Sequence, residues 1–167
     1  CIAGALAACV AEPLLASLGG SGMLLVWPVD GEPKVVDFFS AMPGVPEAPP
    51  EFQAVDIDFG SATQRFHVGR GSVAAPLTMP GLATAAATLG SLPLRELTSP
   101  AIALARRGAP VSAQSAEVFR LLWPICERDP ETSSSYSSTG GPPRPGPGKP
   151  MPGMADVLTE FASEGGT

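Results

Sequence analysis

Residues that could do chemistry are few in this sequence of 167. Asp56 and Asp58 stand two apart in an alternating segment, which puts both carboxylates on one strand face, where such a pair can share a proton or a divalent metal. A solvated strand face has the same pattern and is the commoner case. Asp30 and Asp37 are spread over a turn and a strand. His67 is the single histidine; with a Ser and an Asp it would make a triad, but a lone His in an alternating segment is more often structural or exposed. Cys1, Cys9 and Cys126 contain no CxxC, and with one His they do not supply a four-ligand zinc site of the usual kind. No disulfide framework, metal or cofactor is expected.

The glycine clusters are equally unpromising as phosphate loops. Gly19-Gly20-Ser21-Gly22 and Gly69-Arg70-Gly71 neither continue into Gly-Lys-Ser/Thr nor match GxGxxG, and Ser21 lacks the spacing of a GxSxG elbow. They read as turns. The balance of 10 basic against 16 acidic residues, a formal net charge of −6, argues against a nucleic-acid partner, because phosphate neutralisation needs a basic field.

These groups need elements to position them. An Ala- and Leu-rich run predicts a helix over 2–11, stopped by Pro13. Met23 to Trp27 is a continuous apolar run of strand length, Asp30-Gly31 signals a hairpin, and Lys34 to Phe38 reads as the returning strand. Residues 43–50, half of them proline, predict a loop. Period-two alternation between Phe52 and Val68, broken at Gly60-Ser61, predicts two more short strands, with Val55, Ile57 and Phe59 on one face. Helices follow at about 81–89, 94–107 and 112–127, the last with Ser112 as N-cap. Thr132 to Pro150, rich in Ser, Pro and Gly, reads as an exposed mobile excursion. A final amphipathic helix over 155–163 places Val157, Leu158 and Phe161 together.

Composition sets the frame for all of this. Nineteen Gly and 20 Pro make nearly a quarter of the chain, while 44% of residues are hydrophobic and 16% charged. A domain of this size buries roughly 70% of its unfolded surface, enough for one core and too little for two. No apolar run reaches the length of a membrane span, since Glu12, Pro13 and Gly19 to Gly22 interrupt it. Leu6-Ala7-Ala8-Cys9 is similar to a bacterial lipobox, but a buried helix with small residues at Ala3, Ala7 and Ala11 is the stronger reading. Cys1, without an initiator Met and already inside an apolar run, reads as cut from something longer.

A family resemblance runs nearly the whole length. Val10-Ala11-Glu12-Pro13, Leu18 to Met23 and Val35-Val36-Asp37 resemble the gamma-glutamyltranspeptidase family, in which a small-residue helix ends in "VEP" and is followed by "GxGGGGF", a hairpin and "DGRETAP". The likeness continues at Gly71 to Pro76, Met79 to Leu82 and Leu89 to Pro93. Its most specific part is LPLRELTSPAIALARRGAPVS, Leu92 to Ser112, and it closes through Pro142 to Gly146, Ala155 to Leu158 and Glu164-Gly165.

The resemblance implies an α+β fold: a partial αββα sandwich of the N-terminal-nucleophile hydrolase type, with helices packed on antiparallel strands. It implies a precursor that cuts itself in two, after which a new N-terminal Thr on the small subunit attacks a gamma-glutamyl amide with its own amine as base. On that basis residues 1–131 are a large-subunit core segment, 132–150 the excursion, and 151–167 a helical continuation. The nucleophile lies outside this chain, which is expected to be inactive alone. Its expected partners are the remainder of the large subunit, the small subunit carrying the Thr, and a small gamma-glutamyl or acyl amide substrate. One functional position falls within the span and departs from the pattern. Asp37-Phe38-Phe39 puts Phe39 where the family carries the Arg that holds the glutamyl α-carboxylate, and a phenyl ring cannot donate to a carboxylate. Phe39 either marks a different acyl group or fills the core beside Phe38. A non-catalytic remnant of the family, kept as a structural or partner-binding module, is the alternative function.

Overall fold

The computed structural model describes residues 1–42, 44 and 51–164. Most of the expected Pro-rich loop lies outside these residues, as does the Gly165 end of the family likeness. In chain order the elements are α1 (Ile2–Ala11), β1 (Gly22–Val26), β2 (Lys34–Phe38), β3 (Gln53–Asp58), β4 (Thr63–Val68), α2 (Thr78–Leu89), α3 (Leu94–Arg107), α4 (Ala113–Cys126), α5 (Pro130–Tyr136) and α6 (Pro152–Glu164), with a 3-10 turn at Arg70–Ser72. Helices pack on antiparallel strands, so the α+β expectation stands. The chain divides into two compact units: the first holds α1, β1, β2, α2, nearly all of α3, and α6, and the second holds β3, β4, α4 and α5.

In the first unit α1 buries Leu6, Cys9 and Val10, and Pro13 follows its end at Glu12. The turn after it anchors α2, because Gly20 O accepts hydrogen bonds from both Leu77 N (3.0 Å) and Thr78 N (3.1 Å). Those two amides belong to a helix start that has no partner within the helix. Helix α2 begins at Thr78, three residues before the expected start, because Pro80 falls in the first turn, where a missing N–H costs nothing. Strands β1 and β2 pair antiparallel with Gly22 opposite Phe38, Leu24 opposite Val36 and Val26 opposite Lys34. Their half-buried side packs on α2, where Phe38 closes against Gly81.

The other side of that hairpin is bare. Met23, Leu25, Trp27 and Val35 are between 62% and 75% exposed. An antiparallel hairpin with one solvated face normally alternates apolar and polar residues, whereas this one carries large apolar residues on its exposed face, with Asp37 opposite Met23 as the charged exception. Helices α3 and α6 supply the rest of the first core, through Leu94, Thr98, Ala101 and Ala105 and through Ala155 and Leu158. Val157, expected beside Leu158, is exposed, since it stands about 100° around the helix from that buried neighbour.

In the second unit β3 and β4 pair antiparallel, with Val55 opposite Phe66 and Asp56 opposite Arg65. Val55 and Ile57 are buried in this unit, where β3 packs against α4, while Phe59 lies beyond the strand end and is 43% exposed. Helix α4 buries Ser115, Phe119, Trp123 and Cys126, a spacing that follows one helical face, and Ser112 Oγ caps it by accepting from Ser115 N at 2.9 Å. Part of the stretch read as an excursion is helical. Asp129 accepts from both Thr132 N (2.8 Å) and Thr132 Oγ1 (2.6 Å), Pro130 takes the first helical position, and at the last helical position Tyr136 sets its ring 5.3 Å from that of Phe119. A cap plus one aromatic anchor is enough to hold seven residues helical where composition alone suggests a linker.

Candidate functional site

The carboxylates expected as a candidate acid/base pair have structural duties. Asp56 receives two hydrogen bonds from Arg65 across the hairpin, Nε to Oδ1 at 2.7 Å and the second guanidinium nitrogen to Oδ2 at 2.8 Å. That fork holds the Asp56 carboxyl below its ordinary range. Asp58 Oδ1 accepts from Gly60 N at 2.7 Å, which forms the β3–β4 reversal, with Gly60 at φ 85°. Both side chains are exposed, as a solvated strand face requires. Asp37 Oδ1 accepts from Phe39 N at 2.9 Å, and Asp30 is exposed in the β1–β2 turn.

His67 is exposed on β4, edge-on to Phe52 at 5.9 Å, and no hydrogen bond to a Ser or Asp joins it into a triad among the described residues. The cysteines are free. Cys1 is exposed, while Cys9 and Cys126 are buried, and burial pushes both thiols above their ordinary range and away from the reactive thiolate. Cys9 belongs to the buried face of α1, as the helical reading of Leu6 to Cys9 expects. No cluster of three or more His, Cys, Asp and Glu is assembled among the described residues, and none of the described helices is long and apolar enough to cross a membrane. The second glycine cluster serves the backbone: Gly71 N donates to Glu51 O at 2.9 Å, and Gly69, at φ 109°, has no room for a Cβ below the same carbonyl.

Phe39 stands apart from these. It follows β2 directly and is 64% exposed, so it does not fill the core. Phe38 does that instead, because it points to the α2 side of the hairpin and its neighbour must point away. The bare hairpin face is the feature that residue-by-residue reading for chemistry passed over. Its signal was the unbroken apolar run from Met23 to Trp27, which fits a strand covered on both sides.

Comparison with known proteins gives these surfaces a context. Residues 1–167 match the protein family described as Gamma-glutamyltranspeptidase. The chain is 30% identical to the Acylase ACY 1 proenzyme of Pseudomonas sp. (strain SE83), over 98% of this chain and 30% of that protein. It is 29% identical to the oxamate amidohydrolase proenzyme of Klebsiella pneumoniae subsp. pneumoniae, over 98% of this chain and 31% of that protein. Among solved structures, its fold is similar to that of Helicobacter pylori gamma-glutamyltranspeptidase, with a TM-score of 0.79 at 20% identity over 98% of this chain and 46% of that one. Cephalosporin acylase from Bacillus halodurans gives a TM-score of 0.77 at 23% identity, over 99% of this chain and 31% of that one. The chain spans about 30% of the length of the curated relatives it matches. With the fold, the motif order and a match along its entire length in agreement, the chain belongs to the gamma-glutamyltranspeptidase family.

Proposed function

We propose that this chain is part of the large subunit of an amide-cleaving or acyl-transferring enzyme whose N-terminal Thr nucleophile is carried on a small subunit beyond these residues. The observation that carries this reading is the match of the whole chain to relatives named as an acylase proenzyme and an amidohydrolase proenzyme. The bare face of Met23, Leu25, Trp27 and Val35 supports it, as the surface on which the remainder of the protein packs. A large apolar side chain left in water forgoes about 1.5–3 kcal/mol relative to burial, so four together favour a cover.

In this reading residues 1–131 and 151–167 are core segments, and 132–150 is a surface excursion between them. None of the 167 residues is assigned as nucleophile or oxyanion donor. Phe39 lines the acyl-binding side of the site at the position of the family's carboxylate-binding Arg. Without a guanidinium there, the preferred substrate is an amide whose acyl group lacks a carboxylate at that place.

A substrate comparison on the full polypeptide tests this. Wild type should hydrolyse a neutral acyl anilide faster than a gamma-glutamyl anilide, and Phe39→Arg should shift the ratio of kcat/KM toward the glutamyl substrate by about tenfold or more, the worth of a charge-assisted hydrogen bond. An unchanged ratio would remove Phe39 from the substrate site. Absence of any amide hydrolysis would instead favour the non-catalytic module.

A further inference from the structure

The segment after α5 closes back on the second unit around a cavity of about 590 Å³ that the proposed amide chemistry does not use. Its walls are held at several points. Val111 and Gly146 exchange two backbone hydrogen bonds, at 2.8 and 3.0 Å. The backbone of Gly148 passes so near Ala109 O that a Cβ there would collide with it. Tyr136, also in the lining, is fixed by its ring contact with Phe119, itself buried in α4.

The lining is selective in charge. It includes Arg144 and Lys149 and not one carboxylate, in a chain whose net charge is −6. Arg144 joins no ion pair among the described residues. Lys149 Nζ donates to Ser134 O, which ties the ammonium to a carbonyl of α5. Ser138 and Tyr136 add hydroxyl groups to the same lining, and burial pushes the Tyr136 phenol above its ordinary range. The lining also includes four prolines, among them Pro143 and Pro147, whose rings offer flat apolar surface. A cleft lined by one sign of charge concentrates counter-ions, and a guanidinium fork matches carboxylate and phosphate oxygens.

We propose that this cavity binds a small organic anion: a carboxylate or phosphate-ester head held by Arg144 and Lys149, and a flat apolar body lying against Pro143, Pro147 and Tyr136. The site is separate from the amide-cleaving reading and does not depend on it.

Titration calorimetry on the full polypeptide tests the site with four probes: benzoate, phenyl phosphate, inorganic phosphate and benzyl alcohol. Benzoate and phenyl phosphate should bind saturably at one site, the tighter of them naming the head group, with inorganic phosphate and benzyl alcohol both weaker. Arg144→Ala should weaken both aryl anions by about tenfold or more, and Arg144→Lys should recover part of that loss, since a point charge keeps attraction without the fork. Because Arg144 is exposed, both variants should keep the wild-type melting temperature, which separates lost binding from lost folding. Equal affinity of wild type and Arg144→Ala, benzyl alcohol binding as tightly as benzoate, inorganic phosphate binding as tightly as phenyl phosphate, or no saturable binding of either aryl anion would each overturn the proposal.

Discussion

The ring of Phe38 lies over the Cα of Gly81, so close that the β1–β2 hairpin and α2 meet with no room for even one methyl group between them. The contact makes a helical glycine, ordinarily a weak helix residue, the better choice at position 81. Gly81→Ala should therefore destabilise the chain despite the higher helix propensity of Ala. Overpacking of this kind costs about 1–3 kcal/mol, and the overlap with Cβ, Cγ and Cδ1 of Phe38 puts the expectation at the upper end. Chemical denaturation would read it as a lower midpoint at unchanged slope, and Gly81→Ala should cost less in a Phe38→Ala background, where Cγ and Cδ1 are gone.

A second expectation concerns the bare hairpin face. The 167 residues expressed alone should bind an apolar dye such as ANS and melt over a broad range, because Met23, Leu25, Trp27 and Val35 are left exposed among the described residues. Replacing Leu25 and Val35, which face each other across the hairpin, with Thr should lower dye binding while leaving the Leu24 and Val36 side and its packing on α2 intact. A sharp cooperative melt with no dye binding would show that the face is not available.

The Asp56–Arg65 pair sets a pH expectation. Because Arg65 holds the Asp56 carboxyl below its ordinary range, the pair contributes stability above the unfolded carboxylate range and loses it as pH falls through the folded value. Both side chains are exposed, so the effect should be small and should fade in high salt. Stability measured against pH for wild type and Asp56→Asn should converge in acid and differ slightly at neutral pH. A larger gap in acid than at neutrality would reverse the sign.

Much of this fold was legible in the sequence, and the reasons are particular. Helix α1 was marked by its Ala- and Leu-rich run and Pro13, the β1–β2 hairpin by its apolar run and Asp30-Gly31, and β3, β4, α3 and α4 by period or capping, so their positions match the expected ones to within about two residues. Helix α2 starts earlier because a first-turn Pro80 is indistinguishable, by composition, from a helix breaker. Helix α5 was hidden because Ser and Pro dominate its segment, while the features that hold it are one Asp129 cap and the Tyr136 ring on Phe119. The candidate site was legible only by motif order: nothing in the spacing of Phe39 distinguishes it from Phe38, and which of the two enters the core is decided by strand parity and by Gly81.

The central claim, that this chain is part of a self-cutting amide hydrolase or acyltransferase, is tested most directly by intact-mass spectrometry and N-terminal sequencing of the purified full polypeptide. The account predicts two subunits in equal amount, the large one containing these 167 residues and the small one beginning with Thr, with no cleavage when that Thr is replaced by Ala. A single uncut chain, with no amide hydrolysis and no internal Thr at a subunit start, would contradict it.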